Sequence, residues 1–167
     1  MDLEKMFPII KEIKDEKLRE KVEKCYKIAI EKSNINNIEE MPFTLLIQNA
    51  YSFVKHVNNV AEMAYEIGKL RNDVDIDILL AGALLHDVGK LVEYEKKGEK
   101  FIKSETGKYI RHPVVGAFFA IEVGLDEKVV NIIVSHSKEG EMVKRCNEAI
   151  IVHHCDFIDF EIARGEK

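Results

Sequence analysis

A histidine followed directly by an aspartate, His86-Asp87, stands at the end of the most apolar stretch of the chain, Ile76 to Leu85. A carboxylate carried into such surroundings is costly unless it finds a partner, and a bound cation satisfies both the charge and the imidazole. Imidazole nitrogen with carboxylate oxygen suits iron, manganese, cobalt, nickel or zinc, whereas an all-oxygen set would suit calcium or magnesium. The absence of thiolate ligands points to a catalytic rather than a structural metal. A lone core histidine is more often hydrogen-bonded structure than a ligand. Here, however, His56 lies on one predicted helix, His86 and Asp87 close a second, and Asp156 lies on a later one. A helical bundle builds a metal site in this way, from side chains that face one another.

The elements that must position these residues read as helices. Leu18, Val22, Cys25, Tyr26 and Ala29 recur at helical spacing within 15–33, and Asn34, Asn36 and Asn37 end that stripe. This arm, residues 1–40, is expected to pack on the core at 43–163 or on a second copy in a homodimer. The spacing predicts a helix from Phe43 to Leu70 with His56 facing inward, then a buried central helix over Ile76–Leu85 in which Ala81-Gly82-Ala83 permits close helix approach. Periodicity collapses between Glu93 and Arg111. There Phe101-Ile102-Lys103 and Lys108-Tyr109-Ile110 flank Glu105-Thr106-Gly107 like a short hairpin, an excursion near 99–111. Helices are expected again from Pro113 to Val123, capped by Gly124, from Asp126 toward His136, and from about Asn147 to Ala163. The class is all-α, in one domain.

Composition narrows the setting. The 167 residues suit one domain, and 46% apolar with 33% charged residues is the balance of a globular chain whose apolar runs are too short to span a membrane. Cys25, Cys146 and Cys155 are odd in number and lack C-x-x-C spacing, so they read as reduced core thiols. The N-terminus shows no signal-peptide pattern, which makes cytoplasm the expected location and membranes an unexpected partner. The net charge of −5, without a basic block, argues against duplex nucleic acid as a partner and for a small phosphorylated substrate held locally.

The ordered set His56, His86-Asp87 followed by Gly89 and Lys90, and then Asp156 resembles the HD-domain phosphohydrolase superfamily, and HDVGK is close to its frequent HDIGK form. The likeness covers roughly residues 43 to 163 and implies an HD-domain helical bundle. It implies one metal on His56, His86, Asp87 and Asp156. Because many members carry further histidines between the HD pair and the last aspartate, it also implies a second metal on Asp87, His112 and His136, with Asp87 bridging. His153 precedes Asp156 by three residues and could share its face; it or His154 is expected to orient a ligand, and His153 would replace His136 if His136 faced solvent.

Two such cations roughly 3.5 to 4 Å apart activate a bridging water as hydroxide and neutralise charge on both sides of an in-line phosphoryl displacement. Asp87 and Lys90 are then the catalytic pair, the first orienting the nucleophile and the second contacting phosphate. Lys90, Arg111 and Lys138 are the candidate substrate-binding cations, although Arg111 and Lys138 also read as ordinary surface charges. No G-x-S-x-G elbow supplies a protein nucleophile. The function expected is a metal-dependent phosphodiesterase acting on a cyclic nucleotide or a short RNA end. The alternatives are a nucleotidase, a dinucleoside polyphosphate hydrolase, a non-catalytic nucleotide-binding regulator and, with no substrate feature in its favour, a di-iron oxygenase.

Overall fold

A computed structural model describes residues 2–165. The chain is a helical assembly: α1 (Leu3–Met6), a 3₁₀ turn (Pro8–Glu12), α2 (Glu16–Glu31), α3 (Phe53–Gly68), α4 (Ile76–Leu85), α5 (Lys90–Glu93), α6 (Glu105–Tyr109), α7 (His112–Glu122), α8 (Glu127–Ser135), a second 3₁₀ turn (Lys138–Gly140) and α9 (Asn147–Gly165). The strands β1 (Tyr94–Lys97) and β2 (Lys100–Lys103) form one antiparallel hairpin between α5 and α6. Among the described residues no helix is long and apolar enough to cross a membrane.

The central helix is α4, and its composition explains why. It is apolar on every side, and Leu79 through Leu85 are all buried, so it is stable only when other helices enclose it. Asp75 caps its start by accepting from the backbone N–H groups of Asp77 and Ile78. The helices α2, α3, α8 and α9 pack around it. At Gly82 a Cβ would lie 2.1 Å from Ile132 on α8, so the expected close approach is real and is made by α8.

The arm packs intramolecularly. The five apolar positions of α2 read from the sequence are all buried, and they join the main core together with Phe7, Ile10 and Ile13. The Tyr26 hydroxyl donates to the Leu84 carbonyl over 2.6 Å, satisfying one of the carbonyls left open at the end of α4, two residues before His86.

Two expectations need correction. The helix carrying His56 begins at Phe53, capped by Ser52, and not at Phe43. Residues 43–51 form a loop closed by the Pro42–Ser52 bridge and by hydrogen bonds from Phe43 N–H to the Tyr51 carbonyl and from Phe53 N–H to the Met41 carbonyl. Its apolar residues Phe43 and Ile47 pack against Ala163 in a small cluster of their own, and that contact overrides the helical spacing. The hairpin also lies earlier than expected: Tyr94 pairs with Lys103 and Lys97 with Lys100 across a turn at Gly98-Glu99. The residues Glu105-Thr106-Gly107 expected at its tip instead open α6, because the Ser104 hydroxyl accepts from the Gly107 N–H as a helix cap.

The Tyr26 contact ties the arm to the helix that presents His86. Tyr26→Phe is expected to lower unfolding free energy by about 1–2 kcal/mol, since the buried Leu84 carbonyl loses its donor. Urea denaturation measures this, and an unchanged midpoint would show that the bond contributes nothing.

Candidate metal centre

Four imidazoles converge at the end of α4, and each is held from behind. The backbone carbonyl of Ala83 accepts from His86 Nδ1 at 2.6 Å, and that of Ile133 accepts from His136 Nδ1 at 2.8 Å. A carbonyl can only accept, so both rings carry their proton on Nδ1 and present a bare Nε2 lone pair. The other two rings lean on carboxylates, His56 Nδ1 on Asp159 at 2.6 Å and His112 Nδ1 on Glu93 at 2.7 Å. All four Nε2 atoms therefore point inward.

They meet in pairs around one carboxylate. His56 Nε2 and His86 Nε2 lie 3.2 Å apart, and His112 Nε2 and His136 Nε2 lie 3.3 Å apart. Asp87 stands between the pairs with Oδ2 3.4 and 3.5 Å from the first two nitrogens and Oδ1 3.2 and 3.5 Å from the second two. Asp156 Oδ1 completes the first group, 3.1 Å from His56 Nε2 and 4.0 Å from His86 Nε2. Asp87 Oδ1 is buried and has no hydrogen-bond donor. Nitrogen and carboxylate lone pairs packed this closely require positive charge among them, which either a proton or a metal cation supplies. Separations near 3 Å also suit nitrogens sharing one ion at about 2.0–2.1 Å. The residues thus fit two divalent ions, His56, His86 and Asp87 with Asp156 offering donors for one, and Asp87, His112 and His136 for the other.

The electrostatics agree. Burial acts to lower His56, but its hydrogen bonds to Asp156, Asp159 and Asp87 outweigh that and carry its pKa up to about 10. These carboxylates retain a proton on an imidazole and would retain a metal ion for the same reason. Burial pulls His86 down to about 4, which keeps its lone pair available. Burial opposes ionisation of Asp156, yet the hydrogen bond and charge of His56 hold it at about 2. Lys90 is buried, donating to the Phe43 carbonyl at 2.8 Å and to Asp87 Oδ2. Its ammonium, opposing the cost of burial, keeps Asp87 well below the usual carboxylate range.

Gly89 explains the spacing of HDVGK. A Cβ there would lie 2.1 Å from the His112 carbonyl, so only glycine lets α5 and α7 approach closely enough to bring His112 to Asp87. The centre opens on a cavity of about 660 Å³.

A family model described as HD domain matches residues 53–161. The chain belongs to the HD domain family. The chain is 25% identical over 174 aligned residues to the dihydroneopterin 2',3'-cyclic phosphate phosphodiesterase of Methanocaldococcus jannaschii, covering 96% of the chain and 70% of that protein. It is 33% identical over 96 residues to ribonuclease Y of Pseudothermotoga lettingae, covering 58% of the chain, and 37% identical over 87 residues to the tRNA (cytidine(56)-2'-O)-methyltransferase of Thermoplasma volcanium, covering 52%. The chain spans only 15% of that ribonuclease and 21% of that methyltransferase. No solved structure matches the chain significantly.

The fold brings His56, His86, Asp87, His112, His136 and Asp156 into one cluster within the HD domain. Lys90, Arg111 and Lys138 line the cavity beside it. Lys90 is not a solvated lysine, since it is buried against Asp87. Arg111 is engaged by Glu93 and by Glu139, the latter at 2.8 Å. Lys138 is exposed. His136 is buried, so His153 is not called on to replace it; His153 Nδ1 instead donates to the His136 carbonyl at 2.6 Å and fixes the backbone of that residue.

Sequence reasoning missed Asp159 and Glu93. Asp159 follows Asp156 by three residues, a spacing that shares a helix face and could have flagged it; Asp159 also accepts from Tyr51 and, at 2.8 Å, from Asn59. Glu93 carries no such signal, sitting where the periodicity breaks down. Such partners orient ligands and raise their basicity. Asp159→Ala and Glu93→Ala are each expected to weaken the binding of a different ion by about 10- to 100-fold. Competition against a chromophoric chelator reads this, and full affinity at both sites in either variant would contradict it.

Proposed function

We propose that this HD domain is a metal-dependent phosphodiesterase that hydrolyses a nucleotide-sized substrate, a cyclic nucleotide or a short RNA end. The observation that carries the reading is Asp87, whose two carboxylate oxygens face two separate imidazole pairs at the floor of a cavity lined by cations. In this reading His56, His86, Asp87 and Asp156 hold one ion and Asp87, His112 and His136 hold a second, each iron, manganese, cobalt, nickel or zinc. When bound, the ions supply Lewis-acid activation of water and neutralise phosphate charge.

The chain's own groups do the rest. Asp87 is kept ionised by Lys90 and orients the attacking water through its free lone pairs. Lys90 has one N–H left beyond those given to Phe43 and Asp87, and it lines the cavity, so it can donate to a non-bridging phosphate oxygen, where charge grows as the ester bond breaks. Lys138, exposed at the rim, attracts the anion; Arg111, already shared by Glu93 and Glu139, steadies the His112 side of the pocket. Two relatives support a phosphodiester, since one is named for a 2',3'-cyclic phosphate phosphodiesterase activity and another as a ribonuclease.

Metal-loaded protein is expected to turn over at least one of a panel comprising 2',3'- and 3',5'-cyclic nucleotides, nucleoside monophosphates, dinucleoside polyphosphates and short RNA. Turnover of monophosphates or dinucleoside polyphosphates alone would replace the phosphodiesterase by the corresponding hydrolase. No turnover at all, with metal bound, would leave a nucleotide-binding regulator. Asp87→Ala is expected to lose about a thousandfold or more in kcat and to lose more than His86→Ala, because Asp87 serves both ions. Unchanged metal content and activity in Asp87→Ala would overturn the assignment.

A further inference from the structure

We infer that the cavity is polarised to take a phosphodiester of a flat heterocyclic alcohol such as a nucleoside, and that Phe157 is the residue that selects the ring. The inference rests on the phosphodiesterase reading above and adds the orientation of the substrate within the same site.

The two ends of the cavity differ. Phe157 and Phe160 follow Asp156 on α9, and both line the cavity while remaining only half-buried. Of the charged lining residues, Lys90 sits in the middle beside Asp87 and donates to the Phe43 carbonyl, whereas Arg111 precedes His112, Lys138 follows His136, and Lys103 lies 3.8 Å from Glu93, which holds His112. With the phosphate over Asp87 in the middle, an organic group directed toward Asp156 meets aromatic carbon, and one directed the other way meets charge.

Of the aromatic residues at the apolar end, Phe157 stands outside the cluster around Phe43 and is half-buried in the cavity wall. Phe43 is fully buried with its ring stacked on Tyr51 at 4.7 Å and on His56 at 4.6 Å, and Phe160 is committed edge-on to Phe43 at 6.2 Å between ring centres. Phe157 is braced by His153, 4.7 Å away, which is itself tied to the His136 carbonyl. Leu46 lines the same cavity from the 43–51 loop, and at 82% exposed it is a large apolar side chain that the core does not use. A flat ring entering here covers both. Stacking on an aromatic face is tolerant of base identity, so the selection is for a ring rather than for one base. A volume near 660 Å³ holds a nucleoside phosphate and is in the usual range of small-molecule sites.

The test compares adenosine 2',3'-cyclic phosphate with glycerol 1,2-cyclic phosphate, which keeps the five-membered cyclic diester and lacks the ring. Metal-loaded wild type is expected to prefer the nucleotide by about tenfold or more in kcat/KM. In Phe157→Ala that preference collapses through a raised KM, and in Phe157→Tyr, which retains an aromatic face, it persists. Calorimetric titration with adenosine 3'-monophosphate against glycerol phosphate supplies the same comparison without turnover, so the ring site is tested even if neither ester is hydrolysed. Absence of hydrolysis with ring-selective, Phe157-dependent binding would sink the enzymatic reading and keep the ring site. Equal use and equal binding of ring-bearing and ring-free compounds by wild type, or an undiminished preference in a folded Phe157→Ala, would overturn this inference while leaving the phosphodiesterase standing.

Discussion

A buried carboxylate with four imidazole nitrogens within 3.5 Å is the constraint on which the rest of this molecule depends. Asp87 cannot sit at the end of an almost wholly apolar helix without compensation, and it receives it on one side only. Lys90 supplies one positive charge to Oδ2, while Oδ1 has no hydrogen-bond donor. The protein therefore leaves a deficit of positive charge at a fixed place, and a cation completes it. The enclosure of α4 by four helices makes the deficit hard to relieve by movement of the backbone.

The two halves of the cluster are built alike from unlike parts. Each imidazole pair contains one histidine that caps a helix, His86 on α4 and His136 on α8, whose Nδ1 is held by the carbonyl three residues back in the same helix. Each also contains one histidine held by a carboxylate from a distant segment, His56 by Asp159 and His112 by Glu93. The first type of support is local and comes with the helix end. The second ties α3 to α9 and α7 to α5, so the side-chain orientation at the centre and the packing of the helices are a single problem. Gly89 belongs to that problem because its missing side chain sets the distance between α5 and α7.

Around this centre the cavity distributes its chemistry by element. The α9 segment after Asp156 contributes rings, and Lys90, Lys103 and the segments flanking His112 and His136 contribute charge. The ligand-bearing positions are braced by hydrogen bonds, whereas Leu46, Lys138, Phe157 and Phe160 in the lining are exposed or half-buried, so the centre is the rigid part and these residues are the part free to vary with substrate.

Much of this was legible in the chain alone. The apolar run 76–85 determines a helix buried from Leu79 onward, the three- and four-residue spacings determine α2, α7 and α8, and His86-Asp87 at the end of such a run declares a polar cluster, because those signals are local and the cost of burying charge is general. The all-α class followed from the helical spacings, His56 and Asp156 from their places on separate predicted helices, and the cluster membership of His112 and His136 from the family motif. What only the tertiary structure decided is which partner each group meets. The loop at 43–51 reads as helix until Phe43 and Ile47 are seen to pack on the end of α9, and the hairpin settles at 94–103 because Ser104 caps a helix where a turn was expected. Asp159 and Glu93, separated in sequence from the histidines they hold by 103 and 19 residues, become orienting groups only when helices cross. Lys90 reads as a phosphate contact, and only the structure shows it buried and paired with Asp87. Periodicity reports which face of an element is buried, and long-range pairing of polar groups leaves no periodic trace.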